Sequence, residues 1–124
     1  MTSATTVLVV DDDRDLVRLM SRYLSLEGFA PVTAANGRDA LDYLQGGGAA
    51  KVILLDLRMP IMDGWAFRRA QLADPAIARI PVVVLSGVAE VEGLRQLDVA
   101  ATFSKPVSLP QMIATIRRLI EAAV

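Results

Sequence analysis

Cysteine is absent from the chain, which excludes disulfides and thiol chemistry and fits a cytoplasmic setting. Long hydrophobic runs are absent too. No apolar stretch approaches the length that spans a bilayer, although mean hydropathy is +0.42. The opening MTSATT has neither a basic segment nor an apolar core, so no secretory signal is expected. An excess of charge is also lacking: the formal net charge is −1, which argues against a surface that holds nucleic acid or membrane by charge. Internal repeats and low-complexity tails are missing. Lysine is scarce, with Lys51 and Lys105 standing against 11 arginines, so a lysine at a chemically telling position is more informative than usual.

What is present is a foldable core. With 124 residues, 53% of them hydrophobic and 22% charged, the chain is long enough for one domain that needs no staples. Five short apolar runs, rich in β-branched residues, read as strands: Val7–Val10, Ala30–Thr33, Val52–Leu55, Val82–Leu85 and Val99–Phe103. Several are continuous rather than alternating, the pattern of strands buried on both faces of a parallel sheet.

Segments of helical period lie between them. Leu16, Met20 and Leu24 form one stripe, with Arg14, Arg18 and Arg22 on another. Ala40, Leu41 and Leu44 mark a second helix that leaves through three glycines at 46–48, and a third follows Met62-Asp63-Gly64-Trp65. Val88, Val91 and Leu94 suggest a short fourth. The last is capped by Ser108, has Pro110 in its first turn, and presents Leu109, Met112, Ile113, Ile116 and Ile120 on one face. The expected architecture is (βα)₅, a doubly wound α/β domain over residues 1–124 with a five-stranded parallel sheet and no output domain.

The chemistry collects where the strands end. The first run is followed by Asp11 and Asp12, the third by Asp56, the fourth by Ser86 and the fifth by Lys105. In a parallel sheet these ends share one edge, the edge where open α/β sheets bind ligands. Three carboxylates held within a few ångströms repel one another by roughly 4 kcal/mol per pair at an effective dielectric of 20. A hard divalent cation relieves that repulsion, and an oxygen-only set suits Mg²⁺ with phosphate as co-ligand. Three carboxylates, one Mg²⁺ and one lysine balance to zero, so such a site accepts a phosphoryl group without a large charge imbalance. Ser86 and Lys105 are placed to meet phosphoryl oxygens. Asp56 stands alone opposite the acidic pair and is the choice of carboxylate nucleophile.

In order, VLVVDDDRD, VILLDLRMPIMDGW, VVVLSG and FSKPV resemble the signature segments of response-regulator receiver domains, the CheY-like family. The similarity covers essentially the whole chain. It implies the strand order 2-1-3-4-5 and a bacterial two-component phosphorelay in which Asp56 takes phosphate from a histidine kinase or histidine phosphotransfer protein. It implies that Asp12 binds Mg²⁺ directly, that Asp11 acts through a bound water, and that the Arg58 backbone carbonyl and Asp56 complete the ligands. Ser86 is then the switch hydroxyl and Lys105 the phosphate-pairing lysine, joined to Pro106 by a cis peptide bond. Output falls to a separate protein effector or to service as a phosphate sink, with phosphorylation-dependent pairing of two copies a further form. The domain is not itself expected to be an enzyme, and neither membrane nor direct nucleic-acid binding is implied.

Two positions depart from the family pattern. An aromatic residue commonly stands three positions before the lysine; here Thr102 does, and Phe103 points to the other face. The segment from Ser86 to Lys105 is also short. Both changes fall on the face made by the fourth helix, fifth strand and last helix, the family's usual signalling surface.

Plainer roles suit the other residues. Asp13 and Asp15 read as a helix start, Asp63 as a cap, Gly64 as relief for the backbone beside the site, and Trp65 as helix packing. The arginine stripe reads as a solvated face, with partner docking as its functional counterpart. Two rival functions remain at this level. A haloacid-dehalogenase-like Mg²⁺ phosphatase would use Asp11 as nucleophile and Asp13 as acid, but leaves Asp56 without a role. A non-phosphorylated pseudo-receiver would serve only as a binding module, against which the complete set of acids, hydroxyl and lysine weighs.

Overall fold

The computed structural model describes residues 4–87 and 97–122. In chain order the elements are β1 (Thr5–Val10), α1 (Arg14–Leu26), β2 (Phe29–Ala34), α2 (Gly37–Gln45), β3 (Val52–Asp56), α3 (Gly64–Leu72), β4 (Val82–Ser86), β5 (Ala101–Ser104) and α4 (Leu109–Ala122). The helix expected at Val88, Val91 and Leu94 lies outside the described residues, so the last helix is α4 here.

All four strand pairings are parallel, in the order β2-β1-β3-β4-β5. The continuous apolar runs explain this. Every residue of β3 and β4 is buried, which requires cover on both faces. Alternation then divides the core into two layers. Leu8, Val10, Ile53, Leu55, Val82 and Val84 face α2 and α3 through Leu41, Leu44 and Phe67. Val7, Val9, Val52, Leu54, Val83 and Leu85 face α1 and α4 through Met20, Leu24, Met112 and Ile116.

The helix boundaries follow their caps. Asp13 is the N-cap of α1, its carboxylate accepting from Asp15 N and Leu16 N, and Asp63 caps α3 by accepting from Ala66 N. Ser108 stands just before α4 and its carbonyl accepts from Met112 N at 2.9 Å. Arg14, Arg18 and Arg22 are all exposed, so the arginine stripe is a solvent face. Every strand departs from its expected bounds by one or two residues at one end or both, and β5 alone starts later than expected. β5 begins at Ala101 rather than Val99, because Asp98 takes a positive φ of 49° and pairing with β4 starts only at Ala101 opposite Val83.

Strand order reverses between β1 and β3, the two strands that end in the acids. A crevice at that reversal is where doubly wound sheets place ligands.

Candidate acidic site at the sheet edge

β1 and β3 are direct neighbours, with Val10 paired to Leu55, so Asp11 and Asp56 emerge side by side. Carboxylate oxygens of Asp11, Asp12 and Asp56 lie within 4.8 Å of one another. Their surroundings differ. Asp11 and Asp56 are 2% and 6% exposed, whereas Asp12 is open to solvent. Asp11 Oδ1 accepts from Asp13 N at 2.9 Å, which turns the chain out of the strand and into the cap of α1.

β5 delivers the cation. Ser86 and Ser104 are opposite each other in register, and Lys105 N donates to Ser86 O at 2.9 Å, which sets the ends of β4 and β5 level. From there Lys105 Nζ reaches Asp11 Oδ2 at 3.0 Å and Asp56 Oδ1 at 3.4 Å. The Lys105–Pro106 peptide is cis, as expected. Ser86 is buried at the same edge, 2% exposed.

The electrostatics follow from burial. Asp56 is pushed up from 3.8 to about 6, first by burial and then by the charge of Asp11. Lys105 and the backbone amide of Arg58, which hydrogen-bonds the carboxylate, oppose that shift. Burial works against the Lys105 ammonium, but its hydrogen bond to Asp11 and the charges of Asp11 and Asp56 outweigh it and raise its pKa. One ammonium against three carboxylates leaves an excess of negative charge on hard oxygen donors. That donor set fits Mg²⁺.

Gly64 makes the close packing possible. A Cβ there would meet the Asp56 carbonyl oxygen and stand 2.8 Å from Leu57 Cα, so α3 can start against the end of β3 only without a side chain. Trp65 is half-buried against the layer of α2 and α3, as packing requires. Phe103 packs among residues of the α1 and α4 layer, while Thr102 is exposed on the other face, as alternation dictated.

Sequence reading singled out neither Gly37, whose amide reaches the loop after β3, nor the buried pair Arg68 and Gln71 on α3. The Asn36-Gly37 turn ahead of α2 was a visible signal for the first. The second had none, since Arg68 is held by the backbone carbonyls of Leu97 and Asp98, far along the chain.

A response regulator receiver domain model matches residues 7–117. The chain is 34% identical, over 98% of its length, to the C4-dicarboxylate transport transcriptional regulatory protein DctD of Rhizobium meliloti, of which it spans 26%. It is 29% identical over 90% of its length to the polar-differentiation response regulator DivK of Brucella anthropi, of which it spans 93%. The solved structure of the chemotaxis response regulator CheY4 of Vibrio cholerae superposes with a TM-score of 0.84 at 26% identity, covering 94% of this chain and 98% of that one. The match runs through every strand that presents an acid, the serine or the lysine: the chain belongs to the response regulator receiver domains, signalling modules of two-component systems rather than enzymes.

Proposed function

We propose that Asp56 is the phospho-acceptor of this receiver, taking its phosphoryl group from a phosphohistidine on a histidine kinase or histidine phosphotransfer protein. The observation that supports this most is the setting of Asp56: a buried carboxylate at the end of β3, with Lys105 at 3.4 Å. The Asp56 carboxylate oxygen attacks phosphorus, the phosphorus–nitrogen bond breaks, and the donor imidazole leaves with the bonding pair and takes up a proton. Asp11, Asp12, Asp56 and the Arg58 carbonyl are the residues that would hold Mg²⁺, which when bound neutralises charge on the transferring group. Lys105 and Ser86 meet the phosphoryl oxygens from the β5 and β4 ends, and the new charge biases the equilibrium of the face bearing Thr102 toward a different binding state. Output through a separate protein effector, or through phosphate storage, belongs to this same reading.

The phosphatase alternative loses its acid. Asp13 is exposed, and one oxygen of its carboxylate accepts from two amides of α1, so it is spent on the helix rather than aimed at a substrate. Acetyl phosphate with Mg²⁺ is expected to add one phosphoryl group to the intact protein, read by mass, and Asp56→Asn to abolish the addition. Labelling that survives Asp56→Asn would sink the assignment.

A further inference from the structure

β2 is an edge strand, and β1 separates it from β3. Even so, the end of β2 and the start of α2 touch both acid-bearing loops. Ala34 O accepts from Asp11 N at 3.1 Å, and three residues later Gly37 N donates to Met62 O at 2.8 Å. The first bond holds the loop that presents Asp11 and Asp12. The second holds the loop that runs from Asp56 to α3.

That second loop needs holding. Met62 N donates to Pro60 O at 2.8 Å, closing a three-residue turn around Ile61, whose φ is +71°. This is the strained form of the γ-turn, and a β-branched residue is poorly suited to the left-handed region. Ile61 is 83% exposed, so its own side chain supplies little packing to offset the strain. Such a conformation persists where surrounding bonds over-determine it. Those bonds are Gly64 N to Leu57 O, at 3.0 Å, and Gly37 N to Met62 O.

Gly37 is fitted to that contact. A Cβ at this position would stand 2.8 Å from Met62 O, 2.9 Å from Met62 Cγ and 3.0 Å from Phe67 Cβ, so any side chain displaces the carbonyl that its amide binds. The turn itself is anchored. Asn36 is buried, its Oδ1 accepts from Asp39 N at 2.8 Å, and its Nδ2 donates to Asp39 Oδ2 at 3.2 Å.

We infer that Gly37 is a positioning residue of the metal site: its backbone amide, anchored through Asn36, braces the loop that bears Arg58 against the loop that bears Asp11 and Asp12. The inference rests on the reading of the acid cluster as a Mg²⁺ site. Linkage then requires reciprocity. If the brace strengthens Mg²⁺ binding by some factor, Mg²⁺ strengthens the brace by the same factor.

Both directions are measurable. Mg²⁺ affinity is read by calorimetry and by the fluorescence of Trp65, the one tryptophan in the sequence, which lines a cavity with Asp12, Arg58 and Asp63. Gly37→Ala is expected to raise the Mg²⁺ Kd about tenfold, the scale of a lost outer-shell support. Met112→Ala, which removes packing from the opposite layer, is expected to lower thermal stability and leave that Kd unchanged. In the unaltered protein, saturating Mg²⁺ is expected to slow amide hydrogen exchange at Gly37 more than at Met112. An unchanged Kd in Gly37→Ala, or equal protection of the two amides, overturns the brace while the Mg²⁺ site stands. If Gly37→Ala does not fold, the exchange comparison decides. A lack of Mg²⁺ binding by the unaltered protein overturns the site reading and the brace together.

Discussion

Lys105 Nζ stands 3.0 Å from Asp11 Oδ2, closing a contact between residues 94 positions apart, and lies farther from Asp56, at 3.4 Å. The lysine is therefore a counter-ion shared by two buried acids, and it lies closer to Asp11 than to the proposed phospho-acceptor. Under the proposed function, a phosphoryl group on Asp56 would add charge on the other side of that pair and compete with Asp11 for the ammonium.

Removing that counter-ion has two opposed effects. Lys105→Met leaves Asp11 and Asp56 without their cation, so the Mg²⁺-free protein loses stability at neutral pH. It also removes a positive charge that repels Mg²⁺ at close range, an interaction of several kcal/mol before screening. The Mg²⁺ Kd is expected to fall at least fivefold, measured by calorimetry at fixed ionic strength. Weaker Mg²⁺ binding in Lys105→Met would contradict the counter-ion role.

Asp56 predicts a pH dependence with a definite sign. Its folded value of about 6 lies above the ordinary 3.8, so between these values the folded protein binds more protons than the unfolded chain. Stability of the Mg²⁺-free protein therefore receives this contribution in full below pH 3.8 and loses it as pH rises through about 6. Asp56→Asn removes the ionisable group. After a discount for solvent screening at the open side of the site, it is expected to stabilise the Mg²⁺-free protein at pH 7.5 by on the order of 1–2 kcal/mol. The gain shrinks as pH falls toward 4, read by urea denaturation across the range. A gain that grows in acid would reverse the sign and refute the burial argument.

The sheet was legible because its signal is local and redundant. Runs such as Val52–Leu55 are apolar on both faces and rich in β-branched residues, the pattern of a covered parallel strand, and the residues that follow each run share an edge by topology alone. Asp56, Ser86 and Lys105 could thus be grouped before their distances were known. What could not be read depends on partners without a sequence signature. Gly37 matters through its own backbone N–H and the carbonyl of Met62, and Ile61 takes a positive φ that its β-branched side chain argues against. The onset of β5 was misplaced for a related reason: Val99 is apolar enough for a strand, but the turn at Asp98 delays pairing.

The three adjacent aspartates separate into two roles, and substitutions should separate them experimentally. Asp13→Ala removes a helix cap and is expected to cost about 1 kcal/mol in urea denaturation while leaving Mg²⁺ affinity unchanged. Asp12→Ala removes an exposed acid from the cluster. It is expected to weaken Mg²⁺ binding by tenfold or more, in the range of a lost carboxylate ligand, and to leave the Mg²⁺-free stability equal or slightly higher. Asp13→Asn, which preserves the cap, should resemble the unaltered protein in both measurements. A Mg²⁺ defect in Asp13→Asn would put that residue in the metal site.

Arg68 is buried, 4% exposed, and its hydrogen-bond partners among the described residues are two backbone carbonyls and an amide oxygen. Its guanidinium donates from Nε to Leu97 O at 2.8 Å, from an Nη to Asp98 O at 2.8 Å, and from the other Nη to Gln71 Oε1 at 2.7 Å. Gln71 passes the chain onward, its Nε2 donating to Ile77 O and Ile80 O. Burial lowers the pKa of Arg68 and the nearby charge of Asp98 partly opposes that, while the fork of donors satisfies the buried guanidinium. Arg68→Met keeps the apolar stem and strands the Leu97 carbonyl, which is expected to cost about 2–3 kcal/mol, measured by urea denaturation. Arg68→Lys is expected to recover little, because one compact ammonium cannot reproduce three directed bonds. Since this network lies on the far part of α3 from Asp56, the Mg²⁺ Kd should stay within twofold of the unaltered protein. A larger shift in Kd would show that the approach to β5 is coupled through Arg68 to the site where Lys105 meets its acids.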